Sequence, residues 1–514
     1  MYKLVVVFCV IIVAATIGDT ARILGIVPTP SYSHQVVFQP IWKELSLRGH
    51  QVTTITTDPI NDPALVNLTE IDMHFFYQGK DERIKKIMHK SVLEFSYLMM
   101  KTYHEMAHVF LSHQNVQNLI KNDTEKFDVV MVELGVTAIF AFAKRFNAPL
   151  IVISSMDAPS FLQSLMGNPT HPIVYPDMIF ETDEHPTIWE RLVLTGFSLL
   201  LEIVKIVLVA PQQSLIDKYF GPNYPTITEL QQEISLALVN SDPIFHKVKP
   251  LLPTIVQFGG GSHRTTPKPL PEKLRAVLDA SQNGFIYFSL GSNVKSEILS
   301  NDKQKLFMET FAELPYTVLW KFENDSWPNK PKNVYTSKWF PQQDIFKHSN
   351  IKLFITQGGL QSIDEAIYDH VPMVVMPFFG DQPFNAKKIV KKGFGLSLNY
   401  PTLTKKEFKE TILGVINNPQ YRNKIKKLAE LASDQPMTGL EKAIWWTEYV
   451  IRHNGTKHLR SPLLDIPFYQ YYFLDIILVV ATALLVLISF VFFTLKLLCK
   501  VVKMLIPIKK LKKS

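Results

Sequence analysis

Short apolar runs alternate with helical stretches twice along this chain, and that alternation narrows the fold more than any other feature. In the first half the runs are 22–28, 51–57, 127–133, 150–154 and 236–240. In the second half they are 285–290, 317–321, 352–356 and 373–376. Strands that are apolar along their whole length are buried on both faces, and strands separated by helices pair in parallel. The prediction is an α/β protein with two doubly wound, Rossmann-like domains facing a cleft. Such domains bind ligands at the carboxyl ends of their strands. Between the halves, the stretch 241–271 is rich in Pro and Gly and reads as an interdomain connection. Its Gly259-Gly260-Gly261 run is not followed by Lys-Ser/Thr, so it reads as a linker turn rather than a phosphate loop.

The two ends set the topology. Residues 1–18 carry Lys3, an apolar run from 4 to 13 and then small residues, the pattern of a secretory signal peptide. Residues 473–495 are apolar apart from Asp475, and at about 1.5 Å per residue they span a hydrocarbon core. Tyr469, Tyr471 and Tyr472 stand at the entrance of this segment, as an interfacial belt does. Seven lysines and no acid follow it in 496–514, so the tail is expected in the cytosol and the bulk in the lumen, as a single-pass type I protein. The chain ends Lys510-Leu511-Lys512-Lys513-Ser514, which resembles a dilysine retrieval signal, so the expected location is the endoplasmic reticulum membrane. Asn67, Asn122, Asn324 and Asn454 head glycosylation sequons in the expected lumenal part. The stretch 192–210 is almost long enough to cross a membrane but holds Glu202 and Lys205. It reads as a helix in the membrane surface or in the first domain.

Placing the charges removes a false lead. The formal charge is +8, yet 46 basic and 45 acidic residues lie between Asp19 and Tyr472. A nearly neutral body has no net field to hold a polyanion, so nucleic acid is not an expected partner. Cys9 and Cys499 both fall outside the expected domains, which excludes disulfides and thiolate metal sites from the folded part.

The most informative stretch is 339–382, WFPQQDIFKHSNIKLFITQGGLQSIDEAIYDHVPMVVMPFFGDQ. A strand ends at Gln357-Gly358-Gly359 and a helix begins. Glycines there let backbone amides approach a ligand, and the helix N-terminus suits a diphosphate. Ser362 adds a hydroxyl, Glu365 one turn on can accept from vicinal ribose hydroxyls, and Trp339 offers a flat surface for a base.

This run resembles the signature of the UDP-dependent glycosyltransferases, the family with the two-domain GT-B fold, over all 44 positions without a gap. The match includes Trp339, Pro341, Gln342, Gly359, Ser362, Glu365, Pro372, Pro377, Asp381 and Gln382. Phe288-Ser289-Leu290-Gly291-Ser292 is similar to the family's other donor-side element, and the likeness extends from signal peptide to lysine-rich tail. The wording looks like the animal membrane-bound branch and is insect-like. The resemblance implies that Trp339 stacks on uracil and Gln342 bonds its edge. It implies that Ser292, Gln357, Gly359 and Ser362 hold the diphosphate, Glu365 the ribose, and Asp381 and Gln382 the sugar hydroxyls. Many family members have histidine where Gln357 stands; glutamine still donates a hydrogen bond but carries no charge. The implied organisation is a signal peptide at 1–18, an acceptor-binding domain at 19–245, a connection at 246–283 and a UDP-sugar-binding domain at 284–455. A juxtamembrane segment at 456–472, a membrane helix at 473–495 and a cytosolic tail at 496–514 complete it. The C-terminal helix around 443–452 is expected to cross back onto the first domain.

On the acceptor side, Thr29-Pro30-Ser31-Tyr32-Ser33-His34 joins the first strand to a helix. In the family this position holds the catalytic base, and an imidazole, which titrates near neutrality, can take a proton from an acceptor hydroxyl. The imidazolium then wants a carboxylate, as in a Ser-His-Asp triad. Glu133 ends a strand of the same sheet and stands where the family has aspartate; a surface salt bridge is the other reading of it. Asp128 begins that strand, at the wrong end for the cleft. The implied reaction is inverting transfer of a hexose, glucose foremost, from a UDP-sugar to a small lipophilic hydroxylated acceptor, as in detoxification. UDP-glucose or another UDP-hexose is then a co-substrate, and no cofactor is implied. The chain has no Asp-x-Asp pair, which argues against a divalent metal carrying the diphosphate. A homo-oligomer is compatible with the sequence.

Two rival readings remain. His104-Glu105-Met106-Ala107-His108 is a literal H-E-x-x-H, the helical zinc-peptidase motif, but only Glu125 or Glu133 could supply a third ligand. The second rival is a non-catalytic protein that binds a UDP-sugar or a lipophile.

Overall fold

The computed structural model describes residues 20–87, 90, 92–177, 180, 185–246, 248–323 and 330–505. The expected signal peptide, the dilysine tail and Asn324 lie outside the described residues. The chain divides into two compact units, Met1–Arg460 and Ser461–Ser514.

Two parallel sheets build the first unit. One has seven strands in the order β3-β2-β1-β4-β5-β6-β7. These are β1 (Arg22–Val27), β2 (Gln51–Thr56), β3 (Leu68–Asp72), β4 (Val129–Glu133), β5 (Leu150–Ser154), β6 (Ile234–Val239) and β7 (Ile255–Gln257). The other has six strands in the order β10-β9-β8-β11-β12-β13. These are β8 (Phe285–Ser289), β9 (Thr317–Lys321), β10 (Val334–Ser337), β11 (Ile351–Thr356), β12 (Met373–Val375) and β13 (Gly395–Ser397). All nine expected strands form. The stretch 246–283 is more than a connection, because β7 lies in it and pairs with β6, so the first sheet runs on past residue 245.

Alternate residues of each central strand feed opposite cores, as a pleated strand covered on both faces requires. Leu24 and Ile26 of β1 join Phe110, Phe140 and Phe142, whereas Ile23 and Val27 join Phe38 and Trp42. In β8, Ile286 and Phe288 pack with Trp320, and Phe285 and Tyr287 pack with Phe354. Each fully buried side chain of this size stabilises the fold by roughly 1.5–3 kcal/mol relative to exposure.

Seven helices matter for the site and the topology: α1 (Tyr32–Leu47), α2 (Val92–Ser112), α3 (Ile188–Tyr219), α4 (Leu360–Tyr368), α5 (Gln382–Lys392), α6 (Gly439–Arg452) and α7 (Leu474–Leu505). Helix α6 crosses back from the second sheet: its Ala443, Ile444 and Val450 complete the core that holds Ile23 and Trp42. The 192–210 stretch belongs to α3, which starts from a Thr187–Glu190 capping box and packs against α2. Among the described residues, α7 is the one helix long and apolar enough to cross a membrane. It continues past 495 through Lys496, Lys500 and Lys503, so the expected span is the first part of a 32-residue helix.

In each sheet the chain order reverses once, between β1 and β4 and between β8 and β11. Loops leave in opposite directions at such points and open a crevice beyond the strand ends. The candidate site residues gather at these two places.

Candidate active site

The first crevice holds a histidine–glutamate pair. His34 lies in the first turn of α1, directly after β1, and Glu133 is the last residue of β4. His34 Nδ1 is 2.6 Å from Glu133 Oε1, and the second carboxylate oxygen accepts from the Thr29 backbone N–H at 3.2 Å. Glu133 is 3 % exposed and the His34 side chain 22 %, so the carboxylate is sealed in while the imidazole reaches the cleft. Gln35 fixes the start of α1: its amide donates to the Val27 and Thr29 carbonyls, and its carbonyl accepts from Thr56. Tyr103 of α2 packs on Gly135 just beyond Glu133, and burial, then the Glu133 charge, pushes its phenol up. Asp128 is at the far end of β4, accepting from the Arg22 backbone N–H.

Where β11 meets α4, the second crevice offers neutral groups. Gln357 directly follows β11 and lies buried between two glycines, with its Oε1 accepting from Thr356 Oγ1 at 3.0 Å. Gly291, after β8, has φ +76°, and a Cβ there would come within 2.1 Å of Gln357 Nε2. Ser292 follows it, partly exposed. Gly359 caps α4 without a side chain, leaving the helix N-terminus open, with Ser362 in its first turn.

Glu365, one turn further on, has both oxygens engaged. Gln342 Nε2 donates to Oε2 at 2.6 Å and to Ser362 Oγ at 3.0 Å, and Gln343 Nε2 donates to Oε1 at 2.9 Å. Burial alone would raise the Glu365 carboxyl, but His263, Gln342 and Gln343 together hold it below the usual carboxylate range. Trp339 is 56 % exposed, so it is not a core residue. Its ring meets the Tyr32 ring edge to face at 5.4 Å, and Lys321 Nζ lies 5.7 Å from its centre.

Asp381 and Gln382 open α5. Asp381 Oδ2 accepts from Asn385 at 2.7 Å; burial raises its carboxyl against the pull of Asn385, Lys388 and His34. Gln382 Oε1 accepts from the Phe378 and Phe379 backbone N–H groups, which leaves its own N–H donors for a ligand. Three contacts tie the two crevices across the cleft: Tyr32 on Trp339, Ser31 to Asn293, and Gln361 to the Ser155 carbonyl. Tyr32, Asn293, Gln343, Asn385 and His263 were not singled out from the sequence. Only the Gln342-Gln343 doublet carried a signal that could have found one of them.

The H-E-x-x-H sequence on α2 does not assemble a metal site. His108 Nδ1 pairs with the Tyr219 hydroxyl at 2.6 Å, and Glu105 faces solvent beside Lys101. The two acids available as a third ligand are engaged elsewhere, Glu125 with Arg22 and Glu133 with His34. Of the described sequon residues, Asn122 and Asn454 are exposed, and Asn67 is half-buried and bonded to the Ser46 carbonyl.

A family model described as "UDP-glucoronosyl and UDP-glucosyl transferase" matches residues 22–512. UDP-glucosyltransferase 2 of Dactylopius coccus is 34% identical over 499 residues, covering 94% of this chain and 93% of that protein. An ecdysteroid UDP-glucosyltransferase of Spodoptera littoralis nuclear polyhedrosis virus is 33% identical, covering 89% of this chain and 93% of that protein. Among solved structures, the calicheamicin glycosyltransferase superimposes with a TM-score of 0.57 at 18% identity, covering 85% of this chain and 99% of that one. At that identity it bears on the fold alone, which is GT-B.

Proposed function

Because the chain belongs to the UDP-glucuronosyl and UDP-glucosyl transferase family, it moves a sugar from a UDP-sugar to an acceptor, and we propose that the sugar is glucose and the acceptor a small lipophilic alcohol or phenol. Two relatives named as glucosyltransferases, one of them for an ecdysteroid, support this choice.

The observation that carries the mechanism is the 2.6 Å pair of His34 Nδ1 and Glu133 Oε1 at the mouth of the first sheet. With Nδ1 taken by the carboxylate, Nε2 is the nitrogen left to accept the acceptor's proton. The acceptor oxygen forms a bond to the anomeric carbon as the bond from that carbon to the phosphate oxygen breaks, inverting the centre. UDP leaves with the electron pair. Glu133 stabilises the imidazolium, as the acid of a triad does. Gln357, Ser292, Ser362 and the N-terminus of α4 meet the charge growing on the diphosphate. Trp339 and Gln342 take the base, Glu365 the ribose, and Asp381 with Gln382 the sugar hydroxyls. Neutral donors and a helix end carry this charge without a divalent ion. The enzyme acts in the lumen of the endoplasmic reticulum, anchored by α7, in conjugation of foreign or hormonal small molecules.

The test is sugar transfer by membranes expressing the full chain. UDP-glucose and UDP-glucuronic acid are supplied separately with phenols and hydroxysteroids, with and without EDTA, beside His34→Ala. Glucosylated product that survives EDTA and vanishes in His34→Ala is expected. Product only from UDP-glucuronic acid overturns the sugar, loss with EDTA overturns metal independence, and an active His34→Ala overturns the base.

A further inference from the structure

The connecting segment after β7 is not a passive linker, because it straps the helix that presents the donor site. Gly260 and Gly261 adopt φ of +75° and +74°, and a Cβ on Gly260 would come within 2.7 Å of the Tyr368 hydroxyl. This close approach lets successive residues engage one face of α4 and the residue after it. The Gly261 backbone hydrogen-bonds Asp364, and Arg264 both pairs with Asp369 at 2.8 Å and lies over the Tyr368 ring. Between these contacts His263 is fully buried, with its Nε2 3.3 Å from Glu365 Oε1. Neither ring nitrogen has an aligned hydrogen-bond partner.

A buried imidazole with unaligned nitrogens is costly to keep, and it lies behind a carboxylate whose two oxygens are held by Gln342 and Gln343. A nucleotide that claims Gln342 for its base removes the donor from Oε2. The carboxylate then depends on what holds Oε1. We propose that His263 is a positioning residue for the donor nucleotide: it backs Glu365 from the connecting segment and keeps the carboxylate turned toward the ribose hydroxyls when Gln342 lets go. This rests on the reading that Glu365 receives the ribose. It also makes the segment between the domains part of donor recognition, so that a shift of the hinge reaches the ribose through one side chain.

The experiment is steady-state kinetics of the full-length membrane enzyme with UDP-glucose and its 2′-deoxyribose analogue. It compares wild type, His263→Leu, His263→Gln and Glu365→Ala. His263→Leu keeps the packing and removes the ring nitrogen that faces Glu365. The expected result is a UDP-glucose KM raised about tenfold, the size of effect of losing a group that orients a ligand-binding side chain. kcat and the acceptor KM stay within about twofold, and discrimination against the 2′-deoxy donor shrinks with the KM change. His263→Gln, which still donates, restores most of both. Unchanged KM and discrimination in His263→Leu overturn the proposal, as does a joint fall of kcat, both KM values and melting temperature, which marks a merely structural role. Should His263→Leu not accumulate, His263→Asn, whose shorter amide falls short of Glu365, takes its place in the comparison. If Glu365→Ala leaves the discrimination intact, the ribose reading itself fails and this proposal falls with it. A Glu365→Ala effect beside a silent His263→Leu overturns the proposal alone.

Discussion

The two crevices occupy the same topological position in their sheets and are built from opposite chemistry. At the β1–β4 reversal a histidine and a glutamate face each other at 2.6 Å, with the acid buried and the base half open. At the β8–β11 reversal stand Gln357, glycines, Ser362 and a helix N-terminus, and the Gln357 amide lies against Gly291 and Gly359 and accepts from Thr356. The difference follows from what each place has to do. On the proposed mechanism a proton moves at the first, which calls for a base backed by a carboxylate. On the same mechanism a charge already present is received at the second, and fixed dipoles do that without reorganising. The fold supplies two equivalent crevices, and the loops furnish one with a histidine–glutamate pair and the other with an amide, hydroxyls and a helix end.

Substitutions sharpen or break this contrast. The largest effect is expected for His34→Ala, with turnover down about 10²–10⁴-fold, the range for loss of a general base. UDP binding, followed by titration of the full-length protein, stays within about twofold. Equal loss of turnover and binding would break the division between the crevices. Glu133→Gln comes next, with turnover down about 10²-fold, because the amide keeps the contact but not the charge that steadies an imidazolium. If Glu133→Gln matches wild type, the carboxylate serves packing and the Thr29 cap alone.

The sequence and the structure agree where burial is complete and part where it is not. The nine strands legible in the sequence are the central ones, whose residues face two cores and therefore form continuous apolar runs. The four it did not reveal, β3, β7, β10 and β13, are the outermost strands of the two sheets. An edge strand has neighbours on one side only, so short or mixed sequences such as Leu68–Asp72 and Val334–Ser337 suffice there. At the site, the residues at strand ends and helix starts were legible because position along an element predicts them. Their pairings were not: nothing in the order of residues says that Gln342 donates to Glu365. His263 was hidden for a related reason, since a glycine-rich stretch reads as a linker until a helix is found against it. The H-E-x-x-H spacing shows the converse limit, because helical spacing puts two histidines on one face but does not supply the third ligand.

A smaller effect belongs to Gly291→Ala. The added Cβ falls 2.1 Å from Gln357 Nε2, at a φ of +76° that L-residues avoid. Strain of about 1–3 kcal/mol is expected to appear mainly as a UDP-sugar KM raised about tenfold, with the acceptor KM unchanged. A change confined to the acceptor would place the β8 loop on the wrong side of the cleft.

The smallest effect discriminates best between the two chemistries, because it carries the character of one crevice into the other. Gln357→His puts an ionisable ring into the slot between Gly291 and Gly359, where the wild type has a neutral amide. Above about pH 7 the imidazole is neutral, donates one hydrogen bond as the amide does, and UDP-sugar KM should match wild type. As the pH falls through about 6.5 the ring gains a positive charge facing the diphosphate. KM should then drop about threefold, the scale of a partly solvated ion pair. The wild type, with no ionisable group at that position, should show no such step in KM over the same range. A step in the variant's KM that wild type lacks identifies Gln357 with the diphosphate. Parallel KM profiles would mean that the phosphates lie elsewhere along the rim of α4, and that the neutrality of the second crevice has another cause.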